Sequence, residues 1–258
     1  MRKRRQILAL YLTEKKMRTH KFALYAQNLI PFPIMAERAI LISDRTLIHR
    51  IKHVLRLLAG DQIILFNGQH HSYARVNLIT EKEAAFLVEP SVINQMIEPQ
   101  LVVQLALLRR EALEEAVSTL VTVGVTDIQL VLTERIQRSW GGQHEFDRLQ
   151  RCMIAAAEQS KHFTNVRLHE PVSLLDLCEH NNSGIRVLCD SCGASIHSVL
   201  KKDVLKQTFY GLVGPEGDFT DQEKKITMES GYISCRLTPT VLRSEYAAFL
   251  IAGIVRSM

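Results

Sequence analysis

The sequence predicts an α/β protein in two parts, a small β-barrel followed by a mainly parallel sheet covered by helices. Three observations predict it. From Leu101 onward, short apolar strands alternate with helical stretches, the order that builds parallel sheets. Between Gln62 and Glu89 the period is that of strands alone, with turns at Gly60-Asp61 and Asn67-Gly68. Pro90 and Pro99 bracket a stretch poor in large apolar side chains, which reads as a linker.

Composition sets the bounds. The 258 residues are 47% hydrophobic, enough for one or two ordinary cores. Basic residues exceed acidic ones by a net charge of +5, and the pI is near 9.0, which permits nucleic-acid binding without requiring it. The 5 cysteines are an odd number in a chain that needs no staples, which points to a reducing compartment, the cytoplasm by default. Cys189 and Cys192 form a Cys-x-x-Cys with no second pair and no His at ligand spacing, so small buried side chains are expected there rather than a metal site. No apolar run reaches the ~18 residues of a membrane span. Arg2 to Arg5 with Ile7 to Leu12 mimics a signal peptide, but the apolar stretch is short and no small-residue cleavage site follows, so residues 1–16 read as an extension.

Taken in order, Leu47, Ile51, Val54, Leu55 and Leu58 fall at helical spacing, with His49, Arg50, Lys52, His53 and Arg56 on the other faces. Either RNA contact or a solvated surface accounts for that basic face. Strands are expected at Gln62 to Phe66, Ser72 to Ile79 and Ala84 to Glu89. Then come a strand from Leu101 to Leu108, a helix to Val123, a strand from Asp127 to Leu132, a helix from Phe146 to Lys161, a helix near Leu174, a strand from Arg186 to Cys189 and a helix to Lys206.

Two C-terminal stretches carry the chemistry. Phe209, Tyr210, Leu212 and Val213 read as a buried strand, and Thr220 with Glu223 is a capping box that opens a helix. The loop between them is a strand-to-helix crossing, where open α/β sheets bind ligands. Gly214 and Gly217 are expected to allow close approach and positive φ, while Pro215 stiffens the loop. Glu216 and Asp218 favour a cationic or neutral polar ligand over a pyrophosphate. Further on, a strand from Tyr232 to Leu237 ends in the turn Thr238-Pro239-Thr240, and a helix is expected from Val241, with Arg243 and Glu245 in its first turn. Phe249, Leu250 and Ile254 are expected to cover the sheet, while Tyr246, Ala247, Ile251 and Val255 turn towards neighbouring helices or a second subunit.

The paired motifs Gly214-Pro215-Glu216-Gly217-x-Phe219-Thr220-x-x-Glu223 and Leu237-x-x-x-Val241-Leu242-Arg243-x-Glu245-x-Ala247 resemble those of the ribosomal small-subunit RNA uridine-N3 methyltransferases, members of the knotted SPOUT class. Thr133-Glu134-Arg135, Ala156 to Ser160 and His53-Val54-Leu55-Arg56 extend the resemblance, and Met17 to Phe22 matches the pattern near which family members begin. It implies a PUA-like RNA-binding β-barrel over residues 17–90, a linker over 91–100 and a SPOUT domain with a trefoil knot over 101–258. It further implies S-adenosylmethionine as cofactor, held by Leu188, Leu212, Gly214, Pro215, Glu216, Gly217, Leu237, Thr238, Pro239 and Leu242. Ribosomal RNA would meet Arg18, Lys21, Arg50, Lys52, Arg56, Arg135 and Gln159. The implied reaction is methylation of uridine N3 in 16S ribosomal RNA, by a cytoplasmic homodimer that uses no metal.

When uridine N3 loses its proton, the two flanking carbonyls gain negative charge, which a cation at Arg243 would stabilise. Glu245 would orient that arginine or act as the base. Both side chains would equally complement a helix terminus. The chain departs from the family pattern at Arg109 for Lys, at Thr122 in place of Glu, at Asp218 for a third Gly, at Thr238-Pro239 for a Gly-containing turn and at Tyr246 for Thr. These departures raise the alternative of an RNA-binding scaffold of the same fold that has lost methyl transfer.

Overall fold

The computed structural model describes residues 21–26, 32–179, 183–200 and 207–258, in two compact units that meet in sequence between Ile93 and Asn94.

The first unit contains β1 (Phe22–Tyr25), β2 (Arg38–Ile42), α1 (Arg45–His49), β3 (Gln62–Phe66), β4 (His70–Ile79), β5 (Ala84–Val88) and β6 (Val92–Ile93). Its ladders run in the order β1-β3-β4-β5-β2, with β6 paired to β4, and among the described residues no ladder joins β2 back to β1. Along β4, Ser72, Ala74 and Val76 are buried while Tyr73, Arg75 and Asn77 face out, the period of a half-buried strand. Ile63, Leu65, Phe86 and Val88 from β3 and β5 join that inner face. Asp44 caps α1 by accepting from the Leu47 N–H at 2.8 Å, and the helix runs on as a π-turn over Arg50–Val54. That wider turn breaks the expected helical stripe. Leu47 and Ile51 are buried, but Val54 and Leu58 are exposed, because the i→i−5 bond from Leu55 N to Arg50 O rotates the following residues outward.

In the second unit, β7 (Leu101–Ala106), β8 (Asp127–Leu132), β9 (Arg167–Ser173), β10 (Ile185–Ser195), β11 (Phe209–Val213) and β12 (Ile233–Arg236) form a sheet in the order β12-β10-β11-β7-β8-β9. Every ladder in it is parallel. The central strands are continuous apolar runs because helices cover both faces. The helices are α2 (Arg110–Val123), α3 (Gly142–Ser160), α4 (Leu174–Glu179), α5 (Ile196–Val199), α6 (Asp221–Glu229) and α7 (Ser244–Arg256). β9 was not expected. It is polar and contains Pro171, which the edge of a sheet tolerates and its centre does not. The expected helix to Lys206 is described only over α5, since residues 201–206 lie outside the described set.

α7 begins at Ser244, not Val241, and packs on α2, β7 and β11 through Ala248, Ile251, Ala252 and Val255. Phe249, expected to cover the sheet, is 46% exposed, whereas Ile251 and Val255, expected to point away from it, are buried; Tyr246, also expected off the sheet, is 47% exposed. Close approach explains the difference. The small Ala248 and Ala252 let the helix axis sit near α2, and Ile251 packs over Gly211, where a Cβ would stand 3.4 Å from it. The end of α7 is pinned by Arg256, which donates to Gly124 O at 2.9 Å and Pro99 O at 2.7 Å.

All five cysteines are free; Cys235 is buried, Cys152, Cys178 and Cys189 are half-buried and Cys192 is exposed, so the expectation of buried cysteines fails at Cys192. Among the described residues no helix is long and apolar enough to cross a membrane, and no cluster of three or more His, Cys, Asp or Glu side chains is arranged to hold a metal.

Candidate active site

A cavity of about 660 Å³ opens at the carboxyl-terminal edge of the second sheet. It lies beside β7 and β11, neighbours from which the chain proceeds towards opposite edges of the sheet, the position at which open α/β sheets bind ligands. Its walls are Gly214 to Glu216 with Asp218 after β11, Cys189 to Ser191 in β10, and Leu237, Thr238 and Thr240 to Glu245 from the end of β12 into α7, with Arg109 and Ala112 at the start of α2.

The first wall is fixed by hydrogen bonds from several directions. Glu216 accepts from the Arg109 backbone N–H at 2.9 Å, giving α2 the N-terminal acceptor that the Arg109 side chain does not supply. Arg135 donates to Gly217 O at 3.3 Å, and Glu223, while completing the capping box with Thr220, accepts from the Glu134 N–H at 2.8 Å. Neither Gly214 nor Gly217 has the expected positive φ. Their lack of a side chain makes room for other parts of this chain: a Cβ at Gly214 would stand 2.8 Å from the Phe219 ring, and one at Gly217 3.1 Å from Arg135 O. The left-handed residue is Asp218, with φ 59°, a conformation that glycine adopts most easily. Asp218 stabilises that geometry by accepting from the Phe219 N–H at 2.8 Å.

The second wall is a bulge. Cys189 and Ala194 both pair with Cys235, so the residues between them arch out of the ladder, bringing Asp190 and Ser191 to the cavity. Gly193 makes this possible, because a Cβ there would stand 2.5 Å from the Cys235 backbone nitrogen. Burial and the nearby Cys235 push the Cys189 thiol up to about 12, so it stays protonated.

The third wall ends at α7. Arg243 is the residue that caps the helix, extended at φ −65° and ψ 153°, rather than part of the first turn. Its side chain is 78% exposed and that of Glu245 only 7%, with Arg243 Nη1 4.0 Å from Glu245 Oε1.

Of the expected cofactor residues, Gly214, Pro215, Glu216, Leu237, Thr238 and Leu242 line the cavity together with Arg243 and Glu245. Leu188 and Leu212 do not. They are fully buried in the cluster beneath it with Phe219 and Tyr232, whose hydroxyl donates to Gln104 at 2.7 Å. Gly217 turns to Arg135, and Pro239 is exposed while Thr238 and Thr240 on either side line the wall. Asp190, Ser191, Thr240, Val241, Ser244 and Ala247 were missed by sequence reasoning. Among the expected RNA residues, Arg135 is joined to the cavity loop, but Gln159 is not near it. It is exposed three positions before His162, whose Nδ1 bonds Val121 O, at the opposite edge of the sheet. Thr122 lies at that edge too, bonded to Ser118 O, and Tyr246 does not line the cavity, so these departures leave it unaltered. In the first unit, Lys21 sits 4.7 Å over the Tyr73 ring, Lys52 pairs with Glu81, Arg50 is half-buried and Arg56 exposed, while Arg18 lies outside the described residues.

A built cavity at the reversal point of a parallel sheet, with a buried carboxylate beside an exposed guanidinium, defines an α/β protein with an enzyme-type site. Residues 96–256 match the family model described as the RNA methyltransferase domain, and the chain belongs to that family. It is 26% identical to "Ribosomal RNA small subunit methyltransferase E" of Rickettsia conorii over 81% of this chain and 86% of that protein. It is 27% identical to the protein of that name from Synechocystis, over 93% of this chain and 80% of the relative. Its fold is that of a crystal structure of the Neisseria gonorrhoeae protein of the same name bound to S-adenosyl methionine, with TM-score 0.80 at 20% identity over 92% of this chain and 98% of that one. The α/β class of the second unit is the one that the alternation of strands and helices predicts.

Proposed function

We propose that this chain is an S-adenosylmethionine-dependent methyltransferase that modifies N3 of a uridine in 16S ribosomal RNA, as a cytoplasmic homodimer. The observation that carries the reading is the convergence of both motif loops on one cavity, with Arg243 and Glu245 in its wall. The names of the relatives support it.

The residues present fit this cofactor. Val213, Leu237, Val241 and Leu242 offer apolar contact to an adenine, and the carboxylate of Glu245 suits the positive charge of the cofactor. When bound, S-adenosylmethionine supplies an electrophilic methyl group. The chain's own task is positioning, since reacting atoms must be held near ~3 to 3.5 Å and in line. Arg243, being exposed, meets the uracil carbonyl that gains negative charge. Glu245 takes the N3 proton or holds Arg243 in place. The base must leave its stack to enter, so flanking RNA is held elsewhere, by Arg135 and by the first unit, read as a PUA-like domain over residues 17–90 whose RNA contacts are Lys21, Arg50, Lys52 and Arg56, with Arg18, outside the described residues, expected among them. Residues 91–100 are then the linker and 101–258 the catalytic domain, with its trefoil knot.

Calorimetry with S-adenosylmethionine tests the reading against the alternative of a scaffold without turnover. Micromolar binding is expected; no binding would favour the scaffold. Of the departures, Thr122, Pro239 and Tyr246 stay off the cavity wall, which supports the enzyme, while Arg109, Asp218 and Thr238 form part of it.

A further inference from the structure

Beside the cavity, two of its lining carboxylates are joined by a lysine that the motifs do not include. Lys224, in α6, sits between carboxylates from two walls: its Nζ is 2.9 Å from Asp218 Oδ2 and 3.3 Å from Asp190 Oδ2. Asp218 belongs to the loop after β11 and Asp190 to the bulge in β10. The ammonium and Asp190 are shielded, with side chains 19% and 11% exposed. Burial alone would lower the lysine's pKa, but the two aspartates outweigh it and raise it, so the ammonium is charged.

We propose that Lys224 is a positioning residue that clasps the two walls of the cofactor cavity together through Asp218 and Asp190. The proposal rests on the reading of this cavity as the S-adenosylmethionine site. Where a glycine would adopt the left-handed conformation without side-chain strain, this chain has Asp218 at φ 59°. One of its oxygens accepts from Phe219 N–H and the other meets Lys224, so the carboxylate is held on both sides. Without the ammonium, Asp190 and Asp218 would be left as neighbouring like charges on two walls and push them apart. An ammonium pinned by carboxylates on separate elements shapes the wall before any reaction begins. It therefore acts on cofactor binding rather than on the chemical step.

The test compares wild type with Lys224→Met, Lys224→Arg and Asp190→Asn, measuring Kd for S-adenosylmethionine by calorimetry, KM and kcat with ribosomal RNA, and thermal melting. Lys224→Met is expected to raise Kd and KM about tenfold, a 1.4 kcal/mol effect, with kcat changed less than about threefold. Lys224→Arg, which keeps a cation able to reach both carboxylates, is expected to restore most of the affinity. Asp190→Asn, which leaves Asp218 and Lys224 paired, is expected to weaken binding by a smaller factor, and it serves if Lys224→Met does not fold. Unchanged Kd and KM in folded Lys224→Met, a Lys224→Arg variant no better than Lys224→Met, or an Asp190→Asn variant indistinguishable from wild type would each overturn the clasp and leave the functional reading standing. Failure of the wild-type protein to bind S-adenosylmethionine would overturn both.

Discussion

Arg243 sits just outside the helix it caps, exposed, while Glu245 two residues on is buried. That split assigns the guanidinium to the substrate and the carboxylate to the cavity wall. Arg243→Ala should lower kcat by about 10²- to 10³-fold, the usual loss on removing one group that stabilises developing negative charge. Cofactor affinity should stay near wild type, and steady-state kinetics beside calorimetry checks both. Gly214 makes a different point at the same scale. The sequence marks it as a close-approach residue, but its neighbour is the Phe219 ring, 2.8 Å from where a Cβ would be. Gly214→Ala should thus cost about 1 to 3 kcal/mol in denaturant unfolding by overpacking the cluster under the cavity. Motif spacing identifies such a glycine without saying which side of the loop needs the room. Asp190 and Ser191 were illegible for a related reason: an apolar strand followed by Cys-x-x-Cys reads as core, and only Gly193, a glycine inside a strand, signals the bulge.

Among the elements, α7 shows where periodicity gives a helix but misplaces its faces. A helix with apolar residues all round leaves the choice to neighbouring volumes, and the small Ala248 and Ala252 decide it. Ile251→Glu should therefore fail to fold stably, since it places a charge in a fully buried position at a cost of several kcal/mol. Phe249→Glu should fold normally. If the outward stripe of Tyr246 and Phe249 is the subunit contact, light scattering should show Phe249→Glu as a monomer where the wild type is a dimer; a wild-type monomer at micromolar concentration would remove that assignment. Strands β7 and β11 were legible because central strands of a parallel sheet are nearly continuous apolar runs. β9 was not, because an edge strand needs no such run, and α1 lost its expected stripe to a π-turn that no side chain announces.

At the scale of the whole molecule, the two-part organisation was legible from the change of period near residue 100, while the long-range polar contacts that tie the second unit together were not. Two of these set its response to acid. Burial pushes the His162 pKa down against the bond to Val121 O, with Arg256 adding to the shift. Burial raises that of Asp127, but hydrogen bonds from Arg167, His169 and Thr126 and the charge of Arg167 outweigh it and leave it depressed. In both cases the unfolded chain binds the proton more readily, so stability falls as pH falls. The first loss should begin below about pH 6.5 and the second below about pH 4, and His162→Gln should abolish the first step in pH-dependent denaturation curves. The central assignment, methyl transfer at the cavity formed by the two motif loops, is tested most directly by product analysis. The protein would be incubated with methyl-labelled S-adenosylmethionine and small-subunit ribosomal RNA, free and in assembled subunits, and the RNA digested to nucleosides. Label in N3-methyluridine with wild type, falling by about 10²-fold or more with Arg243→Ala, is the expected result; cofactor binding with no labelled uridine, or label in another nucleoside, would contradict it.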